Sequence, residues 1–354
     1  MTMMKPRIGV VGVGIRGREF AREIVVADTG EVVCYADPHP PSVEKTRAAL
    51  PHAKPYADWR RMLDENKLDV LIVSSPQHTH AEMSLEALAR GLDVYCEKPL
   101  APNLNDCDRI LAAVERTSGG IFYVGLQMRS MPVYRKVYDL VRDGVVGRPC
   151  LVTYRELRGP FLPKVDNWIA NEAKSGGALV EKNCHHFDLF NWLVGSQAER
   201  VCAIGGKAAP PVDGNPGDLL DHAVVLVEYA TCVRACLEIC FLAPMTVHDL
   251  EVVGDRGAIT ADRHEVRLYR RGSVPWTARP RDPDETWSFD PKDAHGDRVV
   301  WQDFLECRGR ERGRNVESVA RARAARESVR IALAAQEAIR SVAVVQLASP
   351  HPCS

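Results

Sequence analysis

The feature that most constrains the fold of this chain is a set of three glycines between an apolar run and a helical segment. The run at 8–11 leads into Gly12-Val13-Gly14-Ile15-Arg16-Gly17, and the apolar residues of 18–25 recur at helical spacing. In a strand, turn and helix, the first glycine permits the tight turn, the second lets a phosphate approach the backbone, and the third lets the helix pack on the strand. Alone the motif is a weak sign of a dinucleotide site, but this context supports it.

The acidic residue after the second predicted strand strengthens this interpretation. The strand at 31–36 leads to Asp37, about 20 residues beyond Gly17, where a carboxylate can accept both ribose hydroxyls of NAD. The same charge would oppose the 2′-phosphate of NADP, so NAD is the expected cofactor and NADP the less favoured one. Asp37 could equally cap a turn before Pro38, and the two roles are compatible.

Composition argues against several partners and suggests two domains. At 354 residues the chain exceeds one ordinary core. Its 46 Lys and Arg residues nearly balance its 47 Asp and Glu residues, so no overall basic field favours nucleic acid or anionic lipid. No apolar run approaches membrane-spanning length, and 1–7 has no signal-peptide core. We therefore expect a cytoplasmic protein without nucleic-acid or membrane partners.

The cysteines are typical of reduced thiols, because they are odd in number, eleven in all, and scattered along the chain. Cys232, Cys236 and Cys240 lie within 224–241, whose pattern indicates a hairpin around Ala230-Thr231. Strand residues four apart are separated by about 13 Å, too far to share one zinc ion. The sequence therefore predicts no metal site, and the alternating faces of the second strand suit a sheet that forms a subunit interface.

The pattern of elements changes along the chain. Strand-like runs alternate with helical segments up to residue 126, as in a parallel sheet, whereas the runs beyond 151 are β-rich, as in a largely antiparallel sheet. We predict an α/β chain: a Rossmann dinucleotide-binding domain at 1–126, then an α+β domain at 127–354 with a large, mainly antiparallel open sheet that binds substrate and forms oligomers. The predicted strands are 8–11, 31–36, 69–74, 92–96, 121–125, 151–157, 201–207, 223–230, 232–241, 249–253 and 257–260, with loops at 208–218 and 275–297.

Local sequence patterns predict where several helices begin. Thr79 and Glu82 form a capping-box pattern at the start of one helix, and Asp58 is placed to cap another. His80 lies at the first of these helix starts, where it is either structural or pocket-lining. A long amphipathic helix at 316–340 carries many arginines on its solvated face and is a candidate to pack back on the first domain.

A second polar group follows two glycines in the C-terminal half. If 179–193 are helical, then Glu181, His185 and Asp188 share one face, with neighbouring Cβ atoms about 5–6 Å apart. A histidine between two carboxylates can serve as a general base, since a carboxylate orients the imidazole and favours its protonated form. The alternative interpretation is a buried polar network without chemistry.

The order of these motifs resembles the Gfo/Idh/MocA family, of the glucose-fructose oxidoreductase and inositol 2-dehydrogenase type. The resemblance covers nearly the whole chain and rests on the glycine motif and on four later segments: Pro76 to His80, Cys96-Glu97-Lys98-Pro99, Gly147-Arg148-Pro149 and the Gly-Gly to His to Asp segment at 176–188. In that family the lysine of the Glu-Lys-Pro motif and an Asp-x-x-x-His pair act beside the nicotinamide. They map onto Lys98, Glu181 and His185, and the acid beyond the histidine maps onto Asp188.

The chain departs from the family pattern at three positions. Glu181 stands where an aspartate is usual, and Lys182 and His186 add polar groups. The resemblance implies hydride transfer between nicotinamide and a secondary alcohol of a sugar, sugar derivative or cyclitol. In that scheme His185 takes the hydroxyl proton, Lys98 stabilises the oxyanion, and Glu181 positions one or both.

The resemblance and the motifs together give two sets of candidate site residues. The expected cofactor-binding residues are Gly12, Gly14, Ile15, Arg16, Gly17, Asp37, Ser75, Pro76, His80, Glu97 and Lys98. The expected substrate-binding residues are Lys98, Arg129, Arg158, Trp168, Lys182, His185, His186 and Asp188. Several cations in the second set would suit a carboxylated or phosphorylated sugar.

Two other functions remain open on the same fold. An enzyme of this type can keep NAD bound and recycle it during epimerisation, elimination or glycoside cleavage through a transient keto-sugar. A non-catalytic regulator that senses sugar or NAD is less favoured, because Lys98 and His185 are both present. We also expect a homodimer or homotetramer formed through the C-terminal sheet.

Overall fold

The computed structural model describes residues 5–162, 164–208, 219–272, 282–290, 297–310 and 315–347. The chain divides into two compact units. The first comprises Met1–Gln127, Ala173–Gly176 and Asp297–Val329, and the second comprises Met128–Glu172, Gly177–Gly296 and Arg330–Ser354. Among the described residues, no helix combines the length and apolar character needed to cross a bilayer.

The first unit contains a parallel sheet of six strands in the order β3-β2-β1-β4-β5-β6. The order reverses between β1 and β4, and in open sheets of this kind ligands bind at such a reversal, outside the carboxyl ends of the strands. The Rossmann topology predicted from the glycine motif is confirmed. The strands are β1 Arg7–Val11, β2 Glu31–Ala36, β3 Lys54–Tyr56, β4 Val70–Val73, β5 Asp93–Cys96 and β6 Phe122–Val124.

The second unit contains a sheet of nine strands in the order β14-β13-β12-β11-β7-β10-β9-β8-β15. All its neighbouring strands run antiparallel except β7 and β10, which are parallel. The predicted, mainly antiparallel sheet is confirmed. The strands are β7 Pro149–Leu157, β8 Ala198–Gly206, β9 His222–Tyr229, β10 Arg234–Cys240, β11 Val247–Gly254, β12 Gly257–Ala261, β13 Glu265–Arg270, β14 Glu285–Ser288 and β15 Val345–Gln346.

Eleven α-helices lie in the described parts of the chain, together with short 3-10 turns at Gln77–Thr79, Gln127–Arg129 and Val165–Ala170. The predicted Asp58 cap is confirmed, since its carboxylate accepts a hydrogen bond from the Arg60 amide at 2.9 Å. The helices are α1 Ile15–Val26, α2 Pro40–Ala49, α3 Trp59–Glu65, α4 His80–Ala89, α5 Leu104–Arg116, α6 Pro132–Arg142, α7 Glu172–Ser175, α8 Ala178–Glu181, α9 Cys184–Val194, α10 Asp297–Arg310 and α11 Val316–Ser341.

An aromatic cluster forms part of the core of the first unit. Phe20 of α1 stacks on Tyr95 of β5 at 4.7 Å between ring centroids, and Tyr95 stacks on Tyr123 of β6 at 5.6 Å. Trp301 and Phe304 of α10 meet this stack edge-on. Burial of each ring contributes roughly 1.5–3 kcal/mol, so a helix distant in sequence is firmly held on the first sheet.

Three sequence predictions of local structure are wrong. The helix expected at 179–193 is interrupted at 182–183, between α8 and α9. The capping box at Thr79 and Glu82 does not form: the 3-10 turn runs directly into α4, and the Thr79 hydroxyl donates to the Pro76 carbonyl instead. The stretch 275–297 is not all loop, because β14 lies within it. The rest of that stretch up to residue 296, apart from 282–284 and 289–290, lies outside the described residues, as do 209–218.

Candidate active site

The turn between β1 and α1 has the geometry that a dinucleotide site needs. Gly12 has a φ of +82°, and a Cβ there would lie 2.5 Å from the Ser75 backbone. A Cβ on Gly17 would lie 2.0 Å from the Gly12 carbonyl oxygen, so only glycine lets α1 approach the turn. Gly14 is the N-cap residue of α1, and nothing lies within 4 Å of the position of a Cβ there. The open approach at a helix N-terminus suits a pyrophosphate.

Asp37 follows β2 and fixes this turn. Its Oδ2 accepts a hydrogen bond from the Val13 amide at 2.9 Å, and its Oδ1 accepts one from the His39 amide at 2.8 Å. The carboxylate is therefore part of the turn as well as the predicted ribose ligand. The two roles left open for Asp37 are compatible in this geometry, because each carboxylate oxygen has more than one lone pair.

Glu97 and Lys98 follow β5 at the carboxyl edge of the same sheet. The Glu97 carboxylate accepts from Arg16 Nε at 3.0 Å and from the Lys98 amide at 3.2 Å. Arg16 also donates to Gln127 Oε1 at 3.1 Å. The peptide bond between Lys98 and Pro99 is cis. Arg16 and Glu97, both predicted at the cofactor, thus brace each other and the segment that carries Lys98.

His80 connects two loops at this edge. Its Nδ1 lies 3.0 Å from the Pro99 carbonyl oxygen, and its Nε2 lies 3.0 Å from the Ser75 carbonyl oxygen. Burial lowers the pKa of His80, whereas the two carbonyl contacts raise it, because a carbonyl oxygen accepts only from a protonated ring nitrogen. Because both ring nitrogens face backbone carbonyls, the geometry favours the structural role over the pocket-lining one. Through it, the loops carrying Ser75-Pro76 and Lys98 are held together.

In the second unit, the candidate base lies just beyond the break between α8 and α9. Glu181 ends α8, and His185 is a buried residue in the first turn of α9. The amides of 181–183 still bond to carbonyls four residues earlier, and the amide of His186 then bonds to the Asn183 carbonyl. The chain therefore keeps right-handed turns through the break. The spacing of Glu181 and His185 stays close to that of one helix.

Asp188 and Arg129, both predicted at the substrate, are paired with each other. Two guanidinium nitrogens of Arg129 donate to the two oxygens of Asp188, each at 2.6 Å. Asp188 is fully buried, and the Arg129 side chain is 19% exposed. The guanidinium also lies over the Trp192 ring, 5.6 Å from its centroid. This bidentate pair braces α9, which carries His185.

Lys182 and His186 gather around a carboxylate that sequence reasoning missed. Lys182 Nζ lies 3.0 Å from Oε1 of Glu156, and His186 Nε2 lies 3.6 Å from Oε2. His248 Nε2 lies 4.0 Å from Oε1. Burial would raise the pKa of the Glu156 carboxyl, but the surrounding charges, led by Lys182, lower it to about 2. Burial and then the charge of Arg263 lower the pKa of His248 to about 3.

Two further predicted substrate residues lie elsewhere in the second unit. Arg158 follows β7, where its Nε donates to the Gly159 carbonyl at 3.2 Å. Trp168 is half-buried in the 3-10 turn Val165–Ala170. Neither position indicates a role in chemistry, so the substrate-binding roles of Arg158 and Trp168 stay predictions.

The signal for the missed residues was present in the strand patterns. Val152, Tyr154 and Glu156 alternate on the buried side of β7, and His248 begins the buried row of β11. An ionisable residue at a core-facing strand position is costly unless it has partners, so it marks a special site.

Comparisons with known proteins match both parts of the chain. The model of the Gfo/Idh/MocA oxidoreductase family with an NAD-binding Rossmann fold matches residues 6–126, and the model of that family's C-terminal alpha/beta domain matches 139–347. Myo-inositol 2-dehydrogenase of Thermotoga maritima is 27% identical over 257 residues, which are 72% of this chain and 75% of that protein. Inositol 2-dehydrogenase of Acidothermus cellulolyticus is 29% identical over 259 residues, which are 72% of each.

A solved structure shows the same fold over nearly the entire chain. It is a levoglucosan dehydrogenase in complex with NADH and levoglucosan, with a TM-score of 0.83 and 20% sequence identity. The match covers 97% of this chain and 99% of the other. At this identity the likeness establishes the architecture.

Proposed function

Because the chain belongs to the Gfo/Idh/MocA family of NAD-binding oxidoreductases, we propose that it transfers a hydride between nicotinamide and a secondary alcohol of a sugar, sugar derivative or cyclitol. The observation that carries the proposal is the pairing of the open glycine turn after β1 with Lys98 after β5. The carboxyl ends of parallel strands lie at one edge of a sheet, so one edge offers a dinucleotide cradle and a cation.

The names of the similar proteins support a more specific substrate class. Those reported above are named for myo-inositol, inositol and levoglucosan, which are polyhydroxylated rings. We propose that this chain also takes a ring with several hydroxyl groups. Charged and hydrogen-bonding side chains around a substrate site can select such a ring. A substrate that lacks one hydroxyl group leaves a buried polar group of the protein without a hydrogen-bond partner.

We assign three side chains to the reaction. His185 takes the proton of the hydroxyl group, and Lys98 stabilises the negative charge that develops on the oxygen. Glu181, whose side chain is one methylene longer than the usual aspartate, orients His185 or Lys98. Bound NAD supplies the hydride acceptor. The domain assignment proposed with these roles is cofactor binding by 1–126 and substrate binding by 127–354.

The direct test is a cofactor and substrate screen. Freshly purified protein is denatured, any released dinucleotide is identified, and the intact protein is screened with inositols, anhydrosugars and sugar acids for the change in nicotinamide absorbance. We expect NAD-dependent turnover of at least one polyhydroxylated ring. Turnover without added NAD that gives products at the original oxidation level would instead select recycling of a bound cofactor. Binding of NAD without any turnover would overturn the enzymatic proposal.

The matched variant for this screen is Lys98→Met, which removes the charge while keeping most of the side-chain length. Because Lys98 acts on charge that develops in the transition state, turnover should fall on the order of 10²- to 10³-fold. NAD affinity should be nearly retained, since the glycine turn and Asp37 are unchanged and Lys98 is only one of the expected cofactor contacts. Unchanged turnover on a confirmed substrate would remove Lys98 from the mechanism.

We further propose that the chain forms a homo-oligomer through the solvent-facing side of the second sheet. The outer face, defined as Leu151, Cys202, Ile204, Val224, Leu226 and Cys236, follows four adjacent strands. Ile204 pairs with Val224, and Leu226 pairs with both Cys202 and Cys236, so these side chains adjoin one another. Ile204 is 79% exposed and Leu226 is 49% exposed. A second copy of the chain would cover this apolar surface.

A further inference from the structure

Three side chains from three elements converge in the core of the second unit. Glu156 lies on β7, His248 lies directly opposite it on β11, and His186 lies on α9. All three residues are buried. One carboxylate oxygen and one nitrogen from each imidazole all lie within 4.8 Å of one another. The chemistry assigned above to Lys98, His185 and Glu181 does not use this group.

The hydrogen bonds around the two imidazoles direct their Nε2 atoms towards the carboxylate. His248 Nδ1 lies 3.0 Å from the Tyr154 hydroxyl, which in turn lies 2.7 Å from the Tyr134 hydroxyl. His186 Nδ1 lies 3.2 Å from the Asn183 side-chain amide. The oxygen and nitrogen of that amide are interchangeable by a flip, so Asn183 Oδ1 can accept from His186 Nδ1. Each Nδ1 can then carry the proton, which leaves a lone pair on each Nε2.

Two Nε2 lone pairs beside one carboxylate, with ligand atoms within 4.8 Å of one another, favour a cation among them. Lys182 supplies one charge at Oε1, but among the described residues no hydrogen-bond donor partners the buried Oε2 of Glu156. A buried carboxylate oxygen without a donor is unusual, because removal of charge from water costs several kcal/mol. Two imidazoles and one carboxylate form the protein ligand set of one class of catalytic zinc sites, and an Nδ1 proton bonded to a second group is typical of metal-bound histidine.

We propose that Glu156, His186 and His248 bind one divalent transition-metal ion, with Zn²⁺ as the best fit, and leave a fourth position open to water or another oxygen ligand. Bonds of about 2.0–2.1 Å in a tetrahedron place ligand atoms about 3.3 Å apart. His186 Nε2 lies 3.6 Å from Oε2 and His248 Nε2 lies 4.0 Å from Oε1, and the ligand atoms of the group lie within 4.8 Å of one another. These separations exceed the tetrahedral spacing by up to about 1.5 Å, so the side chains must close in on the ion to complete the site.

The ammonium group of Lys182 competes with a metal ion for the Glu156 carboxylate. Its ammonium occupies Oε1 in the described arrangement, and its side chain is 19% exposed, so it has a route to solvent. Metal binding replaces one cation by another at Glu156, and the ammonium then moves away. The site departs from the sequence-based expectation of no metal, since that expectation considered only the cysteines.

The test is metal content, measured without reference to dehydrogenase activity. Untagged full-length protein is stripped with a chelator, titrated with Zn²⁺, desalted and analysed by mass spectrometry for metal. A parallel titration uses Co²⁺, whose visible absorption reports a tetrahedral site of nitrogen and oxygen ligands. We expect about one ion per chain in both titrations. Failure of the unaltered chain to retain either ion would overturn the proposal without any variant.

Variants then locate the ion. His248→Gln and Glu156→Gln should lose the bound metal and the Co²⁺ spectrum, whereas His264→Gln, at a turn beside β13, should keep both. Lys182→Met should bind metal at least about tenfold more tightly, because the competing ammonium is gone. Circular dichroism of each variant checks its fold. Equal metal content in folded His248→Gln and in the unaltered chain would place the ion elsewhere and overturn the assignment.

Discussion

At the scale of single residues, Asp37 combines a structural and a recognition role. Its Oδ2 holds the Val13 amide of the glycine turn, and its position after β2 is that of a ribose ligand. A substitution there changes both the turn and the charge near the ribose. The two effects can be separated, because asparagine keeps an acceptor oxygen while it removes the charge.

We expect Asp37→Asn to reduce the preference for NAD over NADP by about 10- to 100-fold, because the 2′-phosphate no longer meets a negative charge. Asp37→Ser should reduce the preference as well and should also weaken NAD binding, since the shorter side chain loses the Val13 contact. Dissociation constants for both dinucleotides, measured by quenching of tryptophan fluorescence, check this. Equal affinity of the unaltered protein for NAD and NADP would contradict the role of Asp37.

The roles of His185 and Glu181 are separable by pH profiles. His185→Ala should lower turnover by about 10²- to 10⁴-fold, because it removes the base. Glu181→Asp should act mainly through geometry, and Glu181→Gln through charge. Turnover is measured against pH at saturating NAD for all three variants. If His185→Ala keeps the parent profile while Glu181→Gln abolishes activity, then Glu181 is the base.

Local residue patterns predicted the glycine turn but not the group around Glu156. The glycines, Asp37 and Lys98 belong to short motifs after strands, and such motifs report the local backbone geometry of the turns. Glu156 and His248 are far apart in sequence and meet only because β7 pairs with β11. That register depends on the whole sheet, so no local pattern could have joined them.

At the scale of elements, the bidentate pair between α9 and the segment before α6 is the feature with the clearest energetic consequence. Arg129→Met should leave the buried Asp188 carboxylate without its partner and destabilise the fold by roughly 3–5 kcal/mol. The double change Arg129→Met with Asp188→Asn should recover part of that loss. Urea unfolding followed by circular dichroism measures both. A loss below about 1 kcal/mol in the single variant would show that the pair is dispensable.

Element prediction succeeded where apolar patterns were strong. Every predicted strand has a counterpart in β1, β2 or β4–β12, within a few residues. The strands that were not predicted are β3, β13, β14 and β15. β3 and β15 have three and two residues and offer too short a pattern to detect, whereas β13 has six residues that alternate between buried and more exposed positions and was missed despite that pattern. The break between α8 and α9 was missed because its backbone remains close to helical, so the apolar spacing continues across it.

At the scale of the whole molecule, the outer face gives a prediction about assembly. Leu226→Glu should convert the oligomer to monomers, because a charge buried at the centre of an interface has no partner. Val26→Glu is the matched control, since Val26 is also exposed but lies on α1 of the first unit. Sedimentation velocity distinguishes the species. A monomeric parent, or an unchanged oligomer in Leu226→Glu, would contradict the proposed interface.

The division of the chain into units was only partly accessible to sequence reasoning. The change of pattern near residue 126 lies beside the break after Gln127. The return of 297–310 to the first unit depends on Trp301 and Phe304 meeting rings on α1, β5 and β6. Such packing leaves no periodic signal, because the partners are separated by most of the chain.

The position of β7 also determines the order in which the second unit can assemble. β8, β9 and β10 form one meander and β11 to β14 another, each from strands adjacent in sequence. The two meanders become one sheet only when β7 enters between β10 and β11, with Leu151 opposite Arg234 and Val253. During synthesis on a ribosome, β7 emerges before β10 and β11. It cannot pair with either strand until both have been synthesised. The slow step of folding should therefore be the docking of this strand, since long-range pairing carries the largest loop-closure cost.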